Sequence, residues 1–152
     1  MKKTSIFEHQ ESYTIHEVAQ RSGLSIPTLR YYEEIGLVPD VGRDPSSGHR
    51  RYRADTLQII ESLANLRAVG MSIEEMRTYL TLREQGDETA VEKRDLFQAH
   101  AEEVEKQMAR LRIHQRYLSL KVAYWDARAR GDLDDAARIA QEYESIVKDL
   151  RS

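Results

Sequence analysis

Apolar positions in this chain come first in short helical bursts and then in one long, narrow stripe. Positions 16–22 alternate at helical spacing with Val18 and Ala19 inward, and Gly23 is placed to end that helix in a left-handed conformation. Ser25 is a good cap for a second helix, and Pro27 falls in its first turn, where a missing N–H costs little. The second helix is predicted to about Ile35, with Leu29 and Ile35 toward the core, and stops at Gly36. Adjacent residues cannot share a helix face, so Tyr31 is predicted outward and Tyr32 inward. Turn residues then fill 44–48, and Arg50-Arg51-Tyr52 resumes as a strand, so two short strands around that tip form a wing. Tyr13-Thr14-Ile15 reads as a very short strand or a packed lead-in. A third helix is predicted over 55–69, with Leu57, Ile60, Leu63, Ala64 and Leu66 or Arg67 on successive turns. Gly70 breaks it, and Ser72-Ile73-Glu74-Glu75 is a capping box for a fourth helix striped by Met76, Tyr79 and Leu80.

The long stripe is a different object. Phe97, Ala101, Val104, Met108, Leu111, Gln115, Leu118, Val122 and Trp125 alternate steps of four and three, a heptad seam with one polar member. A helix over 92–128 is about 55 Å long at 1.5 Å per residue. So narrow a stripe needs a partner helix, and the chain has no second helix of equal length. The economical partner is the same helix of another copy. Gly131 ends it, and Asp132 caps a last helix with Leu133, Ala136, Ala137, Ala140, Tyr143, Val147 and Leu150 assigned to one face.

The resulting fold class is mostly α: a winged helix-turn-helix head, a long dimerisation helix forming a coiled coil, and a short C-terminal helix. Residues 1–12 read as a flexible polar extension, 13–86 as the head, 87–130 as the coiled-coil helix, and 131–152 as a last helix and effector region. Helix, turn, helix and wing in that order can set one helix in a DNA groove while a loop grips the flanking phosphates.

Charge qualifies this picture. The net charge is −3, with 32% charged and 40% hydrophobic residues, and the mean hydropathy is −0.66. Residues 1–55 balance eight Lys/Arg against eight Asp/Glu. The basic footprint is therefore local: Arg43, Arg50, Arg51 and Arg53, opposed only by Asp44. Affinity depends on the potential at the phosphates, so one basic ridge on a neutral head suffices. The chain has no cysteine, which excludes disulfides, thiolate metal sites and thiol redox sensing. His100 and His114 stand too far apart on one helix to share an ion, and no catalytic constellation has useful spacing. No cofactor, no metal and no enzyme activity are expected. Without a signal peptide or an apolar run of about 20 residues, a cytoplasmic protein with no membrane partner is expected.

Tyr13-Thr14-Ile15, Gly23-Leu24-Ser25, Thr28-Leu29-Arg30-Tyr31-Tyr32-Glu33, Ile35-Gly36-Leu37, Gly48-His49-Arg50-Arg51-Tyr52 and the run from Leu66-Arg67 through Gly70-Met71-Ser72 to Glu75-Met76 together resemble the MerR family of bacterial transcription regulators. The match covers roughly 13–82 in order and spacing. His49 departs from it, standing where the family usually has Tyr, and the loop over 43–48 is one residue longer than common. The resemblance implies a homodimer with two heads joined by an antiparallel coiled coil. It also implies promoter DNA that is bent and untwisted so that RNA polymerase can use both promoter elements.

On this reading Ser25, Ile26 and Thr28 approach base edges, and Arg30 and Tyr31 meet bases or phosphates further along the helix. Arg50, Arg51 and Tyr52 form a phosphate clamp, with Arg50 and Tyr52 on one strand face and Arg51 on the other. Arg43 and His49 join them from the loop, and Arg67 reaches a phosphate from a second corner. Phe97, Ala101, Val104, Met108, Leu111, Gln115, Leu118 and Val122 form the dimer interface. Tyr117, Tyr124, Trp125 and Tyr143 form an aromatic cluster read either as core packing or as a pocket for a small-molecule effector. The competing class is a coiled-coil adaptor without DNA readout, which has no use for a basic wing.

Overall fold

The computed structural model describes residues 11–39 and 41–152. Most of the expected N-terminal extension lies outside the described residues. Ser12, assigned to it from sequence, is instead the first residue of a strand.

The elements run β1 (Ser12–Tyr13), α1 (Ile15–Ser22), α2 (Ile26–Glu34), β2 (Gly42–Arg43), β3 (Arg50–Arg53), α3 (Ala54–Ala68), α4 (Ile73–Glu84), a 3-10 turn (Gly86–Thr89), α5 (Ala90–Ala129) and α6 (Leu133–Leu150). They divide into two compact units, one up to Lys93 and one from Arg94 onward.

Local chemistry sets the helix starts of the first unit. Thr14 and Glu17 form a capping box, Glu17 N–H donating to Thr14 Oγ1 at 3.2 Å and Thr14 N–H to the Glu17 carboxylate at 2.8 Å. Thr14 is thus a cap and not a strand residue. At the other end Gly23, with φ 75°, donates its N–H to Ala19 O at 2.9 Å; only glycine enters that region freely. Ser25 accepts from Thr28 N–H at 3.2 Å to open α2. Ser72 and Glu75 repeat the reciprocal cap for α4.

The three strands form one small antiparallel sheet in the order β1-β3-β2, with Tyr13 opposite Tyr52 and Arg43 opposite Arg50. Under it lie Val18, Leu29, Tyr32, Tyr52, Ile60, Leu63 and Met76, each no more than 3% exposed. Burying each such side chain contributes about 1.5–3 kcal/mol, which fixes α1, α2 and α3 against β3. Ile35, expected inward, caps α2 and is only half-buried, while Tyr32 takes the inward position one turn after Leu29. Arg77 Nη2 donates to Ile35 O at 2.8 Å, tying α4 to the end of α2.

The first unit runs past residue 86 for a local reason. Thr89 Oγ1 donates to Leu82 O at 2.6 Å and Lys93 Nζ to Gly86 O at 2.8 Å, so the start of α5 is bonded back onto the end of α4.

In the second unit, α6 folds back on α5 through Ala127, Ala136 and Ile139, with Leu120, Ala123 and Tyr124 against them. The inward face of α6 is in the main the one assigned by sequence: Ala136 is buried and Ala140, Tyr143, Val147 and Leu150 are half-buried. Ile139 and Ile146, not assigned to it, are buried there too, whereas Leu133 is 60% exposed and Ala137 is also exposed.

Candidate nucleic-acid interface

On α2 the two faces separate cleanly. Leu29 and Tyr32 are core, while Arg30 and Tyr31 are exposed, Tyr31 at 50%. Ser25 is exposed, and Ile26 and Thr28 are half-buried. Of the five residues that sequence reading assigned to the groove, Ser25, Arg30 and Tyr31 are thus exposed and Ile26 and Thr28 only partly so.

The wing is built by its turn. Asp44 Oδ1 accepts from Ser46 N–H at 2.9 Å, Ser47 N–H at 3.0 Å and Ser46 Oγ. These bonds, the Ser46 hydroxyl first, hold the Asp44 carboxyl well below the usual carboxylate range. Gly48, with φ 71°, closes the turn, donating to Asp44 O at 2.8 Å. Arg43 Nη1 donates to Gly48 O at 3.1 Å, which lays its stem along the loop.

A cleft of about 340 Å³ lies where wing and helices meet, lined by Thr14, Ile15, His16, Arg30, Arg43, Gly48, His49 and Arg50. Three arginines and two histidines line it, and among the described residues no carboxylate does. A hollow of this kind favours anions.

The predicted clamp divides. Arg50 and Tyr52 do share a strand face, but that face is turned to the helices. Arg50 Nε lies 2.7 Å from Glu33 Oε2, an ion pair whose side chains are 25% and 23% exposed. Tyr52 is 1% exposed, so its expected place at the surface is corrected: it is a core ring. The reason is that β3 is the central strand, and alternate residues of a central strand over a helical layer must face the core. Its hydroxyl has no hydrogen-bond partner among the described residues. Burial, reinforced by Glu33, pushes the phenol above its ordinary pKa. Arg51 takes the opposite face, its Nε donating to Ser12 Oγ at 3.2 Å.

Arg67 also has a partner in the chain. Its Nη1 donates to Thr28 Oγ1 at 3.0 Å, and Thr28 Oγ1 lies 2.8 Å from Ser25 Oγ. Sequence reading missed Glu33, Ser12 and this link because their partners are 17 or 39 residues away. It also missed Thr14 and His16 in the cleft wall, although the Thr14-to-Glu17 spacing announced the cap.

On α5 the heptad seam is open in the single chain. Leu111 is 63%, Leu118 62% and Val122 71% exposed; Phe97 and Met108 are also exposed, as are Ala101 and Gln115, with Val104 half-buried. Near the end of α5, Tyr117 and Tyr124 set their rings edge-on to Tyr143 of α6 at 6.2 and 6.4 Å. Trp125 meets Tyr124 at 5.2 Å but is 62% exposed and belongs to the seam side. The Lys121 ammonium lies 4.1 Å from the Tyr143 ring centre and 5.6 Å from that of Tyr117. Among the described residues no group of His, Asp or Glu is arranged to hold a metal, and no helix is long and apolar enough to cross a membrane.

A capped helix with an exposed polar face, beside a basic cleft closed by a two-stranded wing, defines a winged helix-turn-helix head of the DNA-reading class. Comparison with known proteins makes the class specific. The family described as MerR HTH family regulatory protein matches residues 13–82, and the one described as MerR, DNA binding matches residues 54–119. An uncharacterised HTH-type transcriptional regulator of Haemophilus influenzae is 34% identical over 123 residues, covering 80% of this chain and 90% of that one. The HTH-type transcriptional regulator HmrR of Rhizobium leguminosarum is 37% identical over 98 residues, 64% of this chain and 74% of its own. Among solved structures, HiNmlR, a MerR family regulator lacking the sensor domain and bound to promoter DNA, aligns with a TM-score of 0.65 at 32% identity, covering 85% of this chain and 96% of that one. The chain belongs to the MerR family and is a DNA-binding transcription regulator.

Proposed function

We propose that the protein acts as a homodimer whose two heads read a promoter, bend and untwist it, and so make its elements usable by RNA polymerase in response to an effector. Supporting the dimer is the open seam from Phe97 to Trp125: apolar side chains more than 60% exposed at Leu111, Leu118 and Val122 on a 40-residue helix. Water-exposed stripes of this period are stable when a second helix covers them. The two seams pair antiparallel.

In each head Ser25, Ile26, Thr28, Arg30 and Tyr31 meet the major groove. Arg43, His49 and Arg51 meet phosphates, with Arg50 held in reserve by Glu33. The observation that carries this reading is the placement of Arg30 and Arg43, with Arg50 beside them in its pair with Glu33, around one cleft that no carboxylate lines among the described residues. Guanidinium groups bind phosphate oxygens through paired, charge-assisted hydrogen bonds. The effector surface is the tyrosine cluster, where Lys121 occupies the space over Tyr143 and Tyr117 that a ligand would take.

The test is binding to duplexes selected from a random pool, at several salt concentrations. Arg51→Ala should weaken binding and lower the salt slope of the dimer by about 1.8, one phosphate contact in each of the two heads, and Arg30→Ala should weaken binding and relax base preference. Unchanged slopes would refute the phosphate assignment, and salt-independent binding would favour the adaptor reading. Ligand screening by Trp125 fluorescence tests the effector surface; a ligand that quenches wild type but not Tyr143→Ala is the expected result.

A further inference from the structure

The strongest unexplained feature of the head is a three-residue hydrogen-bond chain on the proposed groove-reading surface. Arg67 Nη1 donates to Thr28 Oγ1 at 3.0 Å, Thr28 Oγ1 and Ser25 Oγ are 2.8 Å apart, and Thr28 N–H donates to Ser25 Oγ at 3.2 Å. Ser25 opens α2 and Arg67 is the next-to-last residue of α3, so the chain crosses between two elements 39 positions apart.

Proton counting fixes what this chain can offer. A guanidinium only donates, and a hydroxyl has one proton and two lone pairs. The two hydroxyls hold two protons, and one lies between them. In one arrangement Thr28 donates to Ser25, whose two lone pairs are then filled by the Thr28 hydroxyl and the Thr28 N–H. In the other, Ser25 donates to Thr28, whose two lone pairs are then filled by Ser25 and Arg67. Either way, the hydroxyl with the remaining proton has no lone pair left and can only donate, while the other hydroxyl keeps one free lone pair.

We infer that Arg67 is a positioning residue: by donating to Thr28 it holds the Ser25–Thr28 pair in place, so that the pair's one outward proton meets an acceptor atom on the duplex. Without Arg67, the Thr28 hydroxyl loses that anchor and gains a second free lone pair. The acceptors with the required chemistry are purine N7, guanine O6 and thymine O4 in the major groove, and phosphate oxygens. This inference rests on the DNA reading proposed above. It differs from a direct phosphate contact by Arg67, because the arginine acts through Thr28.

A double-mutant cycle on the selected duplex tests it, with folding of each variant checked by thermal melting. Arg67→Met and Thr28→Val should each weaken binding about tenfold, the scale of one hydrogen bond. The double variant should also lose about tenfold and not a hundredfold, with the salt slope unchanged. Thr28→Ser should bind better than Thr28→Val, and Arg67→Lys, which keeps the charge and a donor, should lose less binding than Arg67→Met while keeping the slope. Replacing single purines by 7-deazapurines, or single phosphates by methylphosphonates, should cancel the Thr28→Val loss at one position and so tell base from backbone. Multiplicative losses with a slope reduced by about 1.8, one phosphate in each head, would overturn the inference in favour of Arg67 on a phosphate. Failure of the unaltered protein to bind any duplex would overturn the DNA reading, and this inference with it.

Discussion

The guanidinium of Arg50 lies 2.7 Å from the carboxylate of Glu33, so the strongest cation of the wing is already paired inside the head. The pair bridges β3 and α2, and both side chains are about three-quarters covered. A pair of this geometry and cover is worth about 1 kcal/mol. It also withholds one charge from the cleft. Glu33→Gln should therefore lower stability by about 1 kcal/mol per head while tightening binding to any duplex at low salt and steepening the salt slope of the dimer by up to about 1.8. Chemical denaturation and binding isotherms at three salt levels check both halves. A steeper slope without lost stability would mean that the pair contributes nothing to the fold.

Tyr52 separates ring from hydroxyl. The ring is 1% exposed and the hydroxyl is unpartnered among the described residues. Removing a buried polar atom that makes no bond is close to neutral, whereas removing the ring leaves a cavity. Tyr52→Phe should match or slightly exceed wild-type stability, and Tyr52→Ala should lose about 3–5 kcal/mol. Urea denaturation distinguishes them.

The open seam predicts a split between exposed positions of α5. Leu118→Glu places a charge on the stripe and should leave a single subunit in sedimentation at micromolar concentration. Operator binding should fall by about 100-fold, since two linked heads gain that much from tethering. Glu105→Gln, which removes an exposed pair with Arg112 at 3.3 Å, should leave the dimer intact.

The wing turn should resist acid. Hydrogen bonds to Asp44 depress its folded pKa, so its contribution is complete above the unfolded carboxylate value, about pH 4, and is lost as pH falls below it. Hydrogen exchange at the Ser46 and Ser47 amides should thus stay slow at pH 4 and quicken only well below that. In Asp44→Asn these amides should exchange faster at neutral pH, where wild type protects them.

The sequence by itself determined what depends on neighbours a few residues apart. Ser25, Ser72 and Gly23 mark helix ends because a cap bonds to the next turn of its own helix. Period and adjacency alone put Tyr32 inward and Tyr31 outward, and the four-three steps from Phe97 to Trp125 mark a stripe that the chain leaves bare. Tertiary structure decided which partner each long side chain takes. Arg50 goes to Glu33, Arg51 to Ser12 and Arg67 to Thr28, across 17 and 39 residues. It also set the edges of the α6 core stripe, burying Ile139 against α5 and leaving Leu133 and Ala137 exposed. The physical reason is range: caps and periods are fixed by the chain's own geometry over one or two turns. Flexible charged side chains choose among distant partners only when packing has brought those partners within about 3 Å.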